Sequence, residues 1–455
     1  MPDKFEQLCT AFRHISGYMD NKSWKSPSGW PPDGGRMAAL IEGSATDLPL
    51  EYQQSFFRPL HANMACVALK LNTGYMNRVQ AGWPETDARF YTMLRADSLI
   101  GAAMAWSIPD SRRAVQRFEA VVLDLFESFI RKSDPVLKAL HLENKLPPLV
   151  TFAPAPSVGP ATLNEEVVEE YSGAEVSIVS LPPAYAADPM LWGILAHETC
   201  GHAVTHALHD LAEEFVRTVK TVTFQYGPGL WTHWVEEAAA DVYGVLNIGP
   251  VFVISLAAWL KESKKSKKLE TSVTLVKGKP DDEHPPDLLR LYVLRGAVAA
   301  LRDLSTKKAW LSDVDAMIRV IVGNADCITV NLGDPLRPQK LPLEPLARDA
   351  EQLGKTLATM SLVALTGNAK QSIQDVETWD DRDEKTALAV KAQAKCVNQP
   401  LDVKGADVAH LIAGTTMALC ENAALYESLN ERLGTALQAS FDKAELFHRP
   451  RAARR

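Results

Sequence analysis

Two histidines and a glutamate that could bind and use a metal ion lie together in residues 197–202, which read HETCGH. Histidine nitrogens are common zinc ligands, and a catalytic zinc site has three protein ligands and one open position. A glutamate next to the first histidine is poorly placed as a third ligand, but it can act as a general base. The segment therefore predicts a catalytic Zn²⁺ site with His197 and His202 as ligands and Glu198 as the base.

The spacing of the two histidines is unusual for a zinc-binding helix. Residues four apart on an α-helix differ in direction by about 40°, whereas residues five apart differ by about 140°. His197 and His202 are five apart, so their side chains would diverge on a regular helix. We therefore expect a π-bulge to absorb the extra residue. Such bulges concentrate at functional sites, and Gly201 would ease the distortion.

An acidic segment downstream offers the third ligand. Residues 236–241 read EEAAAD, and Glu237 and Asp241 are four apart, so they share one face of a helix. One carboxylate can bind the metal while the other accepts a hydrogen bond from the ring N–H of a ligand histidine. The small residues between them would allow this helix to approach the first one closely.

The patterns His-Glu-x-x-Gly-His and Glu-Glu-x-x-Ala-Asp resemble the zinc motifs of the dipeptidyl peptidase III family of gluzincin peptidases. The resemblance implies three zinc ligands, which are His197, His202 and Glu237. It also implies that Glu198 is the general base and that Glu236 and Asp241 are hydrogen-bond partners of the ligand histidines. Ala239 stands where that family usually has a basic residue, and this chain is much shorter than its typical members. We therefore expect this chain to have the zinc site of that family, but we do not expect it to share the family's release of dipeptides.

A further segment, Glu283-His284-Pro285-Pro286 followed by Arg290, resembles the His-Pro segment of CAAX-protease-like zincins. The resemblance implies that His284 hydrogen-bonds a developing oxyanion and that Arg290 braces the acidic residues around the metal. Alternatively, His284 only marks a helix entry, with Pro285 in the first helical position. No membrane helices accompany the segment, so we do not expect a membrane protease.

Other polar residues near these motifs leave alternatives open. A competing ligand set needs no bulge because it follows regular helical spacing: His202, His206 and His209, with Glu213. That set leaves Glu198 and the Glu237/Asp241 pair without roles. Cys200 and His233 are interpreted as packing residues, and Tyr243 is a second candidate for supporting the oxyanion.

The elements that would position these residues are mainly helical, with a small central β-sheet. Leu149–Phe152 and Glu175–Leu181 are predicted strands, and the second is rich in β-branched residues. A strand followed by the histidine helix is the order found in zincins, where an edge strand beside the metal can pair with an extended peptide. We expect a zincin-like catalytic core at 147–305, flanked by helical regions at 1–146 and 306–455. A proline-rich loop is predicted at Pro335–Pro345.

Composition bounds the class of protein. The net charge of −8 over 455 residues argues against a general nucleic-acid binder. The six cysteines are scattered and form no Cys-x-x-Cys pair, which favours reduced thiols in a cytoplasmic protein. We recognise neither a secretory signal nor an apolar run long enough to span a membrane.

The sequence thus predicts a zinc-dependent hydrolase of the gluzincin type, a peptidase acting on a peptide or small amide. The first alternative is a non-hydrolytic iron enzyme with a two-histidine, one-carboxylate site on the same residues. The second is an inactive zincin fold that serves as a binding protein. The sequence indicates neither the specificity nor the oligomeric state.

Overall fold

The computed structural model describes most of the chain in atomic detail. The described residues are 4–18, 26–44, 48–130, 145–153, 159–208, 210–264, 266, 268–269, 271–275, 284–332, 337–368, 370–396 and 399–443. Within these described residues, the protein is 69% helical and has only small sheets. The predicted fold class, mainly α with a small sheet, is therefore confirmed.

Helices make up the described parts of the first region. They are α1 (Lys4–Phe12), α2 (Ile15–Tyr18), α3 (Gly34–Ile41), α4 (Leu50–Tyr52), α5 (Arg58–Ala62), α6 (Met64–Gln80), α7 (Glu85–Met104) and α8 (Arg112–Phe129). A π-helical turn, Gln53–Phe57, joins α4 to α5. The apolar residues of α8 recur at helical spacing and are buried, so this helix forms one wall of the core.

The middle and last regions are also mostly helical. The middle helices are α9 (Glu165–Ser172), α10 (Val204–Ala207), α11 (Leu211–Thr221), α12 (Pro228–His233), α13 (Val235–Ile248), α14 (Val251–Ser263) and α15 (Asp287–Ala300). The last are α16 (Lys307–Val322), α17 (Leu343–Thr359), α18 (Val363–Thr366), α19 (Asp381–Ala394), α20 (Val408–Leu419) and α21 (Tyr426–Lys443). Short 3₁₀ turns lie at Pro183–Ala187, Pro189–Ile194, Ile373–Asp375 and Ala423–Leu425, and a π-helix spans Ala196–Ala203.

A three-stranded sheet lies next to the histidine segment. Its strands are β1 (Leu149–Thr151), β2 (Ala161–Leu163) and β3 (Ile178–Ser180), in the order β1-β3-β2. β1 is parallel to β3, and β2 is antiparallel to it, so β2 is an edge strand. Both predicted strands are found, although β3 is shorter than the segment predicted. β2 was not predicted because three residues after a Gly-Pro turn carry too little pattern.

A second sheet combines one strand from the predicted core region with two strands from the last region. It consists of β4 (Ser272–Leu275), β5 (Cys327–Leu332) and β6 (Arg337–Pro342), in the order β4-β5-β6. The prediction of a loop over Pro335–Pro345 is therefore wrong for the part that forms β6 and the start of α17. β6 pairs antiparallel with β5 on one side only. An edge strand tolerates Pro338 and Pro342 because it needs donors on only one side.

One apolar core joins all three regions of the chain. Phe12 from the first region, Trp192 from the middle and Leu437 from the last belong to the same cluster of buried side chains. The boundaries proposed at 146/147 and 305/306 stay predictions, and a second, smaller cluster of buried side chains also crosses the first boundary, from Leu71 to Ile178. In the described part of the chain, no helix has the length and apolar character needed to cross a membrane.

Glu119 is a buried carboxyl group on α8, and its Oε2 has no hydrogen-bond partner. Burial disfavours the charged form and raises the pKa of Glu119 from 4.5 to about 8. Between these pH values the folded protein retains a proton that the unfolded chain has lost. The free energy of unfolding should therefore fall with rising pH, by up to about 1.4 kcal/mol per pH unit from this group.

We expect Glu119→Gln to remove this pH dependence, because an amide does not ionise. The variant should be more stable than the parent above about pH 8 and should lose that advantage below about pH 4.5. Urea unfolding of both proteins across this range measures the difference. If the parent and the variant differ in unfolding free energy by the same amount at both ends of the pH range, Glu119 ionises in the folded protein as it does in the unfolded chain.

Candidate metal centre

The histidine segment is not a regular α-helix. Ala196–Ala203 is π-helical, which places His197 and His202 together despite their five-residue spacing. The predicted bulge is therefore confirmed. Gly201 lies against α13, where an added Cβ would be only 2.2 Å from the Cβ of Ala240. The two elements approach this closely because both carry small residues at the contact.

His197, His202 and Glu237 converge at this contact, and they are the one group of possible metal ligands found among the described residues. The two Nε2 atoms of the histidines are 3.3 Å apart. Glu237 places Oε2 3.2 Å from His197 Nε2 and Oε1 3.5 Å from His202 Nε2. Donors bound to one tetrahedral zinc ion at 2.0–2.1 Å lie about 3.3 Å from each other. The spacing of the three side chains is therefore compatible with one shared metal ion, with each oxygen of Glu237 facing a different histidine.

The contacts of His197 decide which of its nitrogens faces the cluster. Its Nδ1 lies 2.9 Å from Oδ1 of Asp241. Because this carboxylate can only accept, Nδ1 carries a hydrogen and Nε2 faces the cluster. Nε2 lies 3.2 Å from the buried Oε2 of Glu237, and these two atoms need a proton or a cation between them. A metal ion in place of that proton would fit this donor set.

The charges around the cluster have large effects on its titration. Burial opposes the imidazolium form of His197, but the carboxylates of Asp241 and Glu237 outweigh burial and raise its pKa to about 10. Burial likewise opposes the Glu237 carboxylate, but His284, His202 and His197 hold the pKa of Glu237 well below its usual range. Two negative groups thus favour positive charge at the point where the three ligands meet.

Arg290 holds Asp241 in place. The guanidinium donates from Nε to Oδ2 at 2.8 Å and from Nη2 to Oδ1 at 2.7 Å, and both side chains are buried. Burial alone would raise the pKa of Asp241, but Arg290 and His197 outweigh it and lower this pKa. Hydrogen bonds therefore link Arg290 to Asp241 and Asp241 to His197. They orient this histidine, as the sequence motifs predict.

Glu198 lies beside the candidate metal ligands and next to the edge strand β2 of the first sheet. It lines the same cavity as His197, His202 and Glu237. The hydroxyl of Thr162 on β2 donates to Oε2 of Glu198 at 2.8 Å and lies 3.1 Å from its backbone oxygen. An edge strand thus adjoins the candidate base, which is the layout expected from the order of the elements. Sequence analysis missed Thr162 because β2 itself carries little signal.

The structure places His284 and Glu236 differently from the predictions made from the sequence. His284 is half-exposed, with its Nε2 3.2 Å from Oε2 of Glu237, so it contacts the candidate ligand directly. Glu236 pairs with His206 at 3.3 Å rather than with either ligand histidine. The hydrogen bond from His206 is the main cause of the lowered pKa of Glu236.

The competing ligand set is not assembled in the described part of the chain. α10 ends at Ala207, and Leu208 is extended, so the regular helix that would align this set does not continue. His209 lies outside the described residues. Glu213 is on the next helix, exposed and paired with Arg217. The observed arrangement favours the His197 and His202 pair.

Three residues considered from the sequence have clear positions. Cys200 is fully buried against α8, where its Sγ lies 3.5 Å from the backbone oxygen of Leu125, as expected for a packing residue. Tyr243 is also fully buried and stacks on Phe129 away from the cavity, so its suggested oxyanion role is wrong. His233 is exposed and lines the cavity, so its interpretation as a packing residue is wrong as well.

The cavity at the cluster has a volume of about 490 Å³. The metal-ligand cluster, Glu198, the edge strand β2 and part of α7 form its walls. Its other lining residues are Tyr91, Leu94, Arg95, Pro160, Ala161, Thr162, Leu163, Asn164, Val167, His206, His233, Glu236 and His284. The volume lies within the usual range for sites that bind small molecules.

Comparisons with known proteins give no relative for this chain. No protein-family model matches it, and no curated protein or solved structure is significantly similar to it. The resemblance to gluzincin peptidases therefore rests on the sequence motifs, and the chemistry of the site has to be argued from its own geometry.

Proposed function

We propose that this chain is a zinc-dependent hydrolase of the gluzincin type that cleaves peptides or small amides. One observation carries the proposal: His197, His202 and Glu237 converge so that their donor atoms lie close enough together to bind one metal ion. Glu198 in the same cavity supplies a base, which hydrolysis needs. All six cysteines are free, which supports a reducing compartment such as the cytoplasm.

A zinc ion in such a site lowers the pKa of water and polarises the carbonyl group that is attacked. Residues of the chain transfer the proton and position the reacting groups. Glu198 takes a proton from water as the new C–O bond forms and delivers it to the leaving amine as the C–N bond breaks. Thr162 holds Glu198 through its hydroxyl, and Asp241 keeps His197 in the tautomer that binds metal.

Two features would bind the substrate. The free edge of β2 can pair with an extended peptide backbone through main-chain hydrogen bonds. His284 is half-exposed and contacts Glu237, and it can donate a hydrogen bond to the negative charge that develops on the carbonyl oxygen. Both features favour a scissile bond that lies between the edge strand and the candidate metal ligands.

Removal of the metal tests this function. We expect the purified protein to contain close to one zinc ion per chain and to hydrolyse members of a library of short peptides. A strong chelator should abolish the hydrolysis and lower the melting temperature, because a ligand at 100 times its Kd stabilises a fold by about 2.7 kcal/mol. Added Zn²⁺ should restore both properties.

Elemental analysis, peptide cleavage followed by mass spectrometry, and thermal unfolding provide the readouts. The alternative iron enzyme would use the same three ligands but would have no need for Glu198 as a base. Protein that holds iron and is active only in the presence of oxygen would overturn the proposal. So would hydrolysis that persists after complete removal of metal.

A further inference from the structure

Arg95 on α7 introduces a positive charge into the cavity that holds the metal cluster. It is the only lysine or arginine among the described residues that line this cavity. The other charged side chains there are Glu198, Glu236 and Glu237 together with the histidines. Neither the motifs nor the proposed hydrolysis gives Arg95 a role.

The contacts of Arg95 leave its charge without a carboxylate partner. Its Nη1 donates to the neutral hydroxyl of Tyr171 at 3.1 Å, and the guanidinium lies 4.8 Å from the centre of the Tyr91 ring. Its Nε is buried without a hydrogen bond. Within the described part of the chain, no Asp or Glu forms an ion pair with it. A second cation, Arg78, lies 4.7 Å from the same Tyr91 ring and adds to the positive charge.

The half-buried guanidinium of Arg95 lines the cavity and has no carboxylate partner among the described residues, which is costly unless an anion in the cavity pairs with it. The guanidinium fork matches a carboxylate, with two parallel N–H···O bonds. We infer that Arg95 binds the free C-terminal carboxylate of a short peptide substrate. The inference rests on the proposed hydrolase function and narrows it to cleavage near the C-terminal end of the peptide.

The length of the edge strand favours a terminal carboxylate over one in the middle of a long chain. β2 is only three residues long, and Asn164 directly after it caps α9 by accepting a hydrogen bond from the backbone N–H of Val167. Leu163, Asn164 and Val167 all line the cavity. An extended peptide paired with β2 therefore runs toward the first turn of α9, which favours a peptide that ends within the cavity.

Two peptide libraries that differ only at the C-terminus test the inference on the zinc-loaded full chain. One library has free carboxylates and the other has C-terminal amides. We expect the parent to prefer the free acids by about 10- to 100-fold in kcat/KM, the range for hydrogen bonds to charged groups. Arg95→Met should lower the rate on acids far more than the rate on amides and so abolish the preference for acids, whereas a merely structural defect would lower both rates alike.

Arg78→Met is the matched control, since Arg78 contacts the same Tyr91 ring but does not line the cavity. It should retain the preference for acids. Arg95→Lys keeps the charge without the fork and should give an intermediate preference, which also covers the case in which Arg95→Met fails to fold. Equal cleavage of acids and amides by the parent would overturn the inference.

A binding measurement separates failure of the inference from failure of the proposed function. Calorimetry with the zinc-loaded Glu198→Gln variant compares the affinity for acids and amides without hydrolysis. If the parent cleaves neither library, the hydrolase proposal fails, and an equal affinity for acids and amides would refute the role of Arg95. Arg95-dependent cleavage of amides that contain internal Asp, Glu or phosphoserine would show that the anion is a side chain, which also contradicts the inference.

Discussion

Glu198→Gln is expected to abolish hydrolysis while the protein keeps its zinc and its fold. Glutamine has nearly the same shape and still accepts the hydrogen bond from Thr162, which is 2.8 Å long in the parent. It cannot take a proton from water at neutral pH, and loss of a general base costs about 10²- to 10⁴-fold in rate. Peptide cleavage, metal content and melting temperature, measured on the same preparation, check all three expectations.

A matched control for this variant is Glu213→Gln, which changes an exposed glutamate outside the cavity. It should hydrolyse peptides at the rate of the parent. If Glu198→Gln retains its zinc and also the full rate of the parent, Glu198 is not the base and the proposed mechanism is incorrect. If it loses zinc, Glu198 contributes to metal binding, and the assignment of the three ligands is incomplete.

Arg290→Met is expected to cause the largest loss of stability of any single substitution at the site. It removes both hydrogen bonds from the guanidinium to Asp241, a side chain with no exposed surface. An uncompensated buried carboxylate costs about 3–5 kcal/mol. Because Asp241 also orients His197, the affinity for zinc should fall by about 10- to 100-fold. Urea unfolding of the metal-free protein and competition with a chelator measure the two effects separately.

Arg295→Met offers a close comparison on the same helix. Arg295 also forms a fork, with Asp315 at 2.6 and 3.2 Å, but this pair is partly exposed. Partly exposed ion pairs contribute about 0–1 kcal/mol, so this variant should lose little stability and no zinc affinity. Equal losses of stability in the two variants would mean that the buried Arg290–Asp241 pair contributes no more to stability than a partly exposed ion pair. That result would contradict the role of Arg290 as the support of the metal site.

The sequence by itself determined which residues at the centre of the chain are candidates for a metal site. The residue types of His197, His202 and Glu237 are those of zinc ligands, and their positions on neighbouring helical segments could be predicted from spacing. The five-residue interval also predicted the π-helix, because helical geometry alone excludes a regular turn there. The mainly helical fold class followed from the same periodic patterns. These features depend on local spacing, which a single sequence records directly.

Only the tertiary structure decided which side chains share the cavity. Thr162 on a three-residue strand and Arg95 on α7 reach the site through packing between elements far apart in the chain, for which local patterns carry no signal. The same holds for Glu236, which pairs with His206, and for the proline-containing strand β6, which is stable because it lies at an edge. The residue types and spacing of the candidate metal ligands are thus local features, whereas the hydrogen bond from Thr162 to Glu198 and the position of Arg95 in the cavity depend on long-range contacts.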